Sequence, residues 1–147
     1  VYEERPDIQA VFHIHTPAIV AVSALKDGLL PLSQWALHFY NRLAYYPYSS
    51  LILEEKQGCS LSKKLGNHFV MLMQHHGALI CGRTIQEAMF YTYHLEQACK
   101  TQCLIQGMQR AFSVLSKETC EQAAHDLLTF EKDLGKRDWE AWVRMIE

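Results

Sequence analysis

The run Phe69-Val70-Met71-Leu72-Met73 is apolar at every position, and after Gln74-His75-His76-Gly77 a second apolar run, Ala78-Leu79-Ile80-Cys81, ends at Gly82. Runs this short, bounded by turn residues, read as strands, and a strand with no polar face has to be covered on both sides. The two runs and their turn form a hairpin, which needs other elements packed above and below it.

The rest of the chain supplies them. Tyr2 to Arg5 reads as the end of a helix that Pro6 stops, and Ile8 to His15 is a strand rich in apolar and β-branched residues. Thr16 is placed to cap a helix over Ala18 to Leu25, with Pro17 as its first residue. Gly28 and Pro31 mark a loop, and Ser33 opens a helix through about Tyr40. Ala44 to Tyr48 reads as a short edge strand, because Pro47 cannot donate to a ladder. Ser60 to Leu65 is a short helix ended by Gly66. Beyond the hairpin the pattern is helical only. Thr84 and Glu87 form a T-x-x-E capping box, and the helix they open places Ile85, Ala88, Met89, Thr92, Leu95, Cys99 and Cys103 on one face as far as about Gly107. His94 and Glu96 fall beside that stripe and read as surface or interface residues. Ser116 opens another amphipathic helix, with Gly135 as its stop. Trp139, Trp142, Val143 and Ile146 then follow helical spacing, as in a segment that docks on the body or on a neighbouring subunit. Strands interleaved with helices, then helices alone, describe a layered α/β domain that can include antiparallel hairpins.

The chemistry-bearing residues sit at the ends of the strands. His13 and His15 are two residues apart, so in a strand they share a face and lie roughly 6.5–7 Å apart along the chain. Zinc binds imidazole nitrogen at about 2.0–2.1 Å and takes three or four protein ligands, so this pair needs a further donor, and the turn offers His75 and His76. On the alternative reading, His13 and His15 are satisfied polar residues of a buried strand and His75 and His76 are turn residues. Cys81 is either a soft ligand near the turn or a buried strand residue. The helix start at Pro17, beside the two histidines, would favour an anionic group there. A three-histidine zinc site with an open position can polarise a hydroxycarbonyl group and stabilise an enediolate, or activate water. No G-x-S-x-G elbow, G-x-G-x-x-G fingerprint or Walker loop is present among the seven glycines.

Composition limits the partners. The formal net charge is -2, which gives no electrostatic footprint for nucleic acid or an anionic membrane. The five cysteines are odd in number and contain no C-x-x-C pair, as in a reducing compartment, and no apolar run is as long as a membrane helix. A cytoplasmic protein that binds neither nucleic acid nor membrane is the expectation. The 147 residues make one domain. The chain opens on Val1 and on what reads as a helix tail, so residues 1–147 are expected to be the C-terminal part of a single longer domain.

Taken together, Arg5-Pro6-Asp7, Val11-Phe12-His13-Ile14-His15-Thr16-Pro17, Gly28 to Gln34, Leu72-Met73-Gln74-His75-His76-Gly77-Ala78-Leu79, Gly82-Arg83-Thr84 with Glu87-Ala88, and Arg137-Asp138-Trp139 resemble the class II aldolase/adducin family. These motifs cover nearly the whole chain. The resemblance implies a three-layer α/β/α fold with a mixed, largely antiparallel sheet, assembled as a homotetramer with sites between subunits. It implies zinc, or another divalent metal, on His13, His15 and His76, with His75 standing where the family commonly has Asn. It further implies cleavage or epimerisation of a small sugar-phosphate-like hydroxycarbonyl substrate through a metal-stabilised enediolate. The family's phosphate-binding glycine loop and acidic proton-transfer residue would lie ahead of Tyr2, so no catalytic acid or base is assigned within this chain. The other implied reading is a non-catalytic, adducin-like domain used for metal binding or assembly.

Overall fold

A computed structural model describes residues 1–49 and 55–146. Its centre is a four-stranded sheet in the order β1-β4-β3-β2, built from β1 (Ala10–Ile14), β2 (Leu43–Tyr46), β3 (Val70–Met73) and β4 (Gly77–Gly82). The pairings β1–β4 and β4–β3 are antiparallel, and β2–β3 is parallel. The sheet is therefore mixed and largely antiparallel, as the sequence and its resemblance suggest. β2 lies at one edge, beside Pro47, and its parallel pairing with β3 uses helix α3 (Glu55–Leu65) as the crossover that parallel neighbours require.

Alternation along the strands divides the core in two. Val70, Leu72, Ala78 and Ile80 face one side, where Ile19, Val22, Phe39, Phe90, Tyr91, Leu95 and Cys99 cover them. Those residues come from α1 (Pro17–Ser23), from the segment after α2 (Gln34–Leu37), and from α4 (Ile85–Gly107). Ala44, Tyr46, Met71, Met73, Leu79 and Cys81 face the other side, under Ile8 and the α3 residues Leu61 and Leu65. Every residue of β3 and β4 is buried, which is why both runs are apolar throughout. The result is a three-layer α/β/α arrangement.

Several boundaries differ from the sequence reading. Residues 2–5 form a single turn, with the Glu4 and Arg5 amides donating to the Val1 carbonyl, the Arg5 bond having helical i→i−4 spacing. α1 and α2 stop short of Leu25 and Tyr40, α3 begins before Ser60, and β2 ends at Tyr46. Thr16 stands at the start of α1, but its hydroxyl makes no capping bond and turns to Glu96 instead. Gly135 does not stop the helix opened by Ser116. That helix, α5 (Lys117–Thr129), ends earlier, and Gly135 sits with φ +80° at the start of α6 (Lys136–Arg144), where a Cβ would meet the Gln86 carbonyl oxygen at 2.5 Å. α6 docks on α4 through Trp142 against Tyr93, while Ile146 is exposed. Among the described residues no helix is long and apolar enough to cross a membrane.

Candidate metal centre

β1 and the β3–β4 turn meet at one end of the sheet. Ile14 pairs with Ala78 and His13 with Leu79, so the turn preceding β4 lies against the end of β1. Leu79 faces the α3 side, and the directly opposed His13 projects the same way. Two residues on, past the end of β1, His15 follows.

The turn brings in the third imidazole. The His76 amide donates to the Met73 carbonyl at 3.0 Å, and His75 between them has φ +56°. That positive φ at the third turn position suits Gly or Asn better than a larger side chain. It leaves His76, not His75, beside His13 and His15. Gly77 then adopts φ +154° and lies so close to β1 that a Cβ would stand 2.2 Å from the Ile14 carbonyl oxygen and 3.0 Å from the His15 ring.

One ligand atom from each of His13, His15 and His76 lies within 4.8 Å of the others. The His15 and His76 rings are stacked with centroids 4.8 Å apart, and His13 stands edge-on to both, at 4.3 Å and 4.9 Å. Two nitrogens on one zinc ion are at most about 4 Å apart, a spacing that small ring rotations reach from here. The Nδ1 of His13 is 3.0 Å from the Ala78 carbonyl oxygen, which can only accept, so Nδ1 carries the proton and Nε2 keeps its lone pair. Burial, and then the proximity of His13 and His15, hold the His76 imidazole below the usual histidine range and favour its neutral, ligating form. His13 and His15 are exposed and His76 half-buried, so one side of the cluster is open. The donor set fits a divalent ion of borderline softness. Cys81 is not part of it: it is fully buried, and burial pushes its thiol up to about 11.

Two α4 residues, read from the sequence as surface or interface side chains, are half-buried and engaged within the chain. The Glu96 carboxylate accepts from the Thr16 hydroxyl and pairs with Lys100 at 3.1 Å, tying α4 to the helix start next to His15. His94 stacks on Phe90 at 3.8 Å, its Nδ1 bonding the Phe90 carbonyl, and its ring meets that of His38. Only the three-dimensional packing pairs Thr16 with Glu96. The capping box is present in altered form: Thr84 accepts from the Glu87 amide, but Glu87 bonds the Arg83 backbone amide and guanidinium. The Arg5-Pro6-Asp7 motif is structural. Arg5 pairs with Asp7, donates to the Gly66 and His68 carbonyls and lies over the Phe69 ring, fastening the start of the chain to β3.

A mixed α/β/α sheet with a histidine cluster between β1 and a neighbouring hairpin defines the class of fold. The model of the Class II Aldolase and Adducin N-terminal domain matches residues 1–103, and the chain belongs to that family. Human beta-adducin is 33% identical to it over 162 residues, covering all of this chain and 22% of that protein. An aldolase II superfamily protein from Pseudomonas syringae superposes with a TM-score of 0.89 at 34% identity, over 99% of this chain and 59% of its own. The L-fuculose 1-phosphate aldolase of Glaciozyma antarctica PI12, at 24% identity and a TM-score of 0.72, covers 86% of this chain and 47% of its own and shares the fold. The chain thus spans about a fifth of the adducin and under two thirds of either solved relative.

Proposed function

We propose that the chain is a divalent-metal-binding domain of class II aldolase type, with zinc or a similar ion on imidazole nitrogens of His13, His15 and His76. The observation that carries this reading is the convergence of one ligand atom from each within 4.8 Å. His13 contributes through Nε2, fixed by its bond to the Ala78 carbonyl. An ion held there supplies Lewis acidity toward the hydroxyl and carbonyl oxygens of a small sugar-phosphate-like compound, the chemistry of aldol cleavage or epimerisation. The open side of the cluster gives such a compound access. In the same reading the protein assembles with copies of itself, as a tetramer.

Elemental analysis of the purified full-length protein tests the metal. One equivalent of zinc or another divalent ion per chain is expected, lost in His76→Ala; a metal-free parent protein that also fails to take up added zinc overturns the reading.

The adducin relatives favour a second reading, metal binding or assembly without turnover, since beta-adducin is more similar in sequence than the fuculose-phosphate aldolase. Assay of the full-length protein with L-fuculose 1-phosphate and related sugar phosphates separates the two. Turnover at an ordinary enzymatic rate, about 1 per second or more, excludes the second reading. Bound metal with no turnover supports it.

A further inference from the structure

A cavity of about 780 Å³ opens at the other end of β3, lined among others by His38, Phe39, Arg42, Phe69, Arg83 and Tyr91. It is separate from the histidine cluster. Val70 begins β3 and lines the cavity, whereas His76 lies beyond Met73 at the far end, about 10 Å or more along the strand. Val70 also faces the α4 side of the sheet, opposite to His13.

Two buried side-chain polar atoms without a hydrogen-bond partner are found among the described residues, Nδ1 of His38 and Nη1 of Arg42, and both residues line this cavity. His38 is only 7% exposed. A buried polar group left unpaired is costly, more so when charged, so two on neighbouring residues of one cavity mark a place built to be paired by something else. The charge balance indicates what. Arg42, Arg83, Lys132 and Lys136 line the cavity against Glu87, Glu131 and Asp133, and Glu87 is already engaged by Arg83. Among the described residues Arg42 pairs with no carboxylate, and its desolvation holds its guanidinium below the ordinary arginine range. Phe39, Phe69 and Tyr91 supply an apolar wall, and the Arg83 guanidinium lies 4.3 Å over the Phe69 ring.

We infer that this cavity is a second binding site, taking a small organic anion whose carboxylate or phosphate oxygens pair with Arg42 and His38 while its apolar body lies against the aromatic wall. The volume suits a metabolite-sized ligand, and a guanidinium is the side chain best matched to a two-oxygen head. The site does not depend on the metal reading.

Calorimetric titration of the full-length protein with inorganic phosphate and with benzoate, after removal of divalent metal with EDTA, tests the inference. At least one of the two is expected to bind saturably with a Kd below about 1 mM, at least tenfold more weakly in Arg42→Met and unchanged in His76→Ala. No saturable binding of either anion overturns it, as does equal binding by Arg42→Met or loss in His76→Ala alone. Should Arg42→Met not fold, His38→Phe, a ring of similar size without the donor, carries the same expectation and the same refutation.

Discussion

A Cβ added to Gly77 would stand 2.2 Å from the carbonyl oxygen of Ile14, so β1 and the β3–β4 turn approach as they do only because residue 77 has no side chain. That approach carries His76 to His13 and His15. Gly77→Ala must either push β1 away from β4 or leave a φ of +154° that L-residues avoid. The expected cost is about 3 kcal/mol in urea unfolding. In the fraction that stays folded, zinc affinity drops at least tenfold. A variant with parental stability and parental zinc affinity would show that the contact does not shape the cluster.

His75 and His76 are adjacent, yet only one lies in the cluster. His75 is exposed with φ +56°, a conformation costing a non-glycine residue about 1–2 kcal/mol that Asn tolerates better. His75→Asn is expected to raise stability by about 0.5 kcal/mol and to leave zinc uptake unchanged, whereas His76→Asn abolishes uptake. Thermal unfolding and metal analysis of the two variants side by side check the assignment.

The parts of this architecture legible in the sequence are those where local pattern and tertiary demand coincide. β3 and β4 are apolar at every position because both faces are covered, and His13 and His15 share a face because strand geometry puts i and i+2 together. In the sequence the choice between His75 and His76 rests on resemblance alone; in the structure His76 lies with His13 and His15, while His75 takes the turn position with φ +56°. The long-range polar pairs were illegible. Thr16 and Glu96 are 80 positions apart, and Thr16 carries the ordinary sequence signature of a cap. Gln102 and Glu87 are buried on α4 outside its apolar stripe, because each satisfies backbone groups of another segment or of the helix entry. Spacing on one helix does not show which remote loop needs a partner. Glycine suits a helix stop, but Gly135 instead starts α6 with φ +80°, where a side chain would collide with the Gln86 carbonyl.

Gln102 is 1% exposed and holds the loop after α1 in place: its Oε1 accepts from the Leu30 amide at 2.7 Å and its Nε2 donates to the Gly28 carbonyl at 2.9 Å. Gln102→Leu keeps the volume and strands both backbone groups. The expected loss is about 2–3 kcal/mol, with Gln102→Glu intermediate because it can still accept from Leu30. Chemical denaturation of the three proteins measures the order. Gln102→Leu within about 0.5 kcal/mol of the parent would mean that water satisfies the loop equally well.

The His38 imidazole ties stability to pH. It is buried against Phe90, with His94 and Arg42 nearby, and burial first, then those two groups, pull its pKa from 6.5 down to about 4. A histidine depressed in the folded state is kept neutral there, while the unfolded chain takes up its proton near pH 6.5. The unfolded state therefore binds more protons between those values, and stability falls as the pH is lowered from about 6.5 toward 4. Above that window the contribution is fully present. A shift of this size corresponds to roughly 3 kcal/mol once the fall is complete. His94 is displaced in the same direction by its own burial, so the reading requires a difference measurement. Urea unfolding at pH 7, 6, 5 and 4 is expected to show a steeper acid loss in the parent than in His38→Phe, which cannot titrate at that position. Parallel curves for the two proteins would assign the acid sensitivity elsewhere.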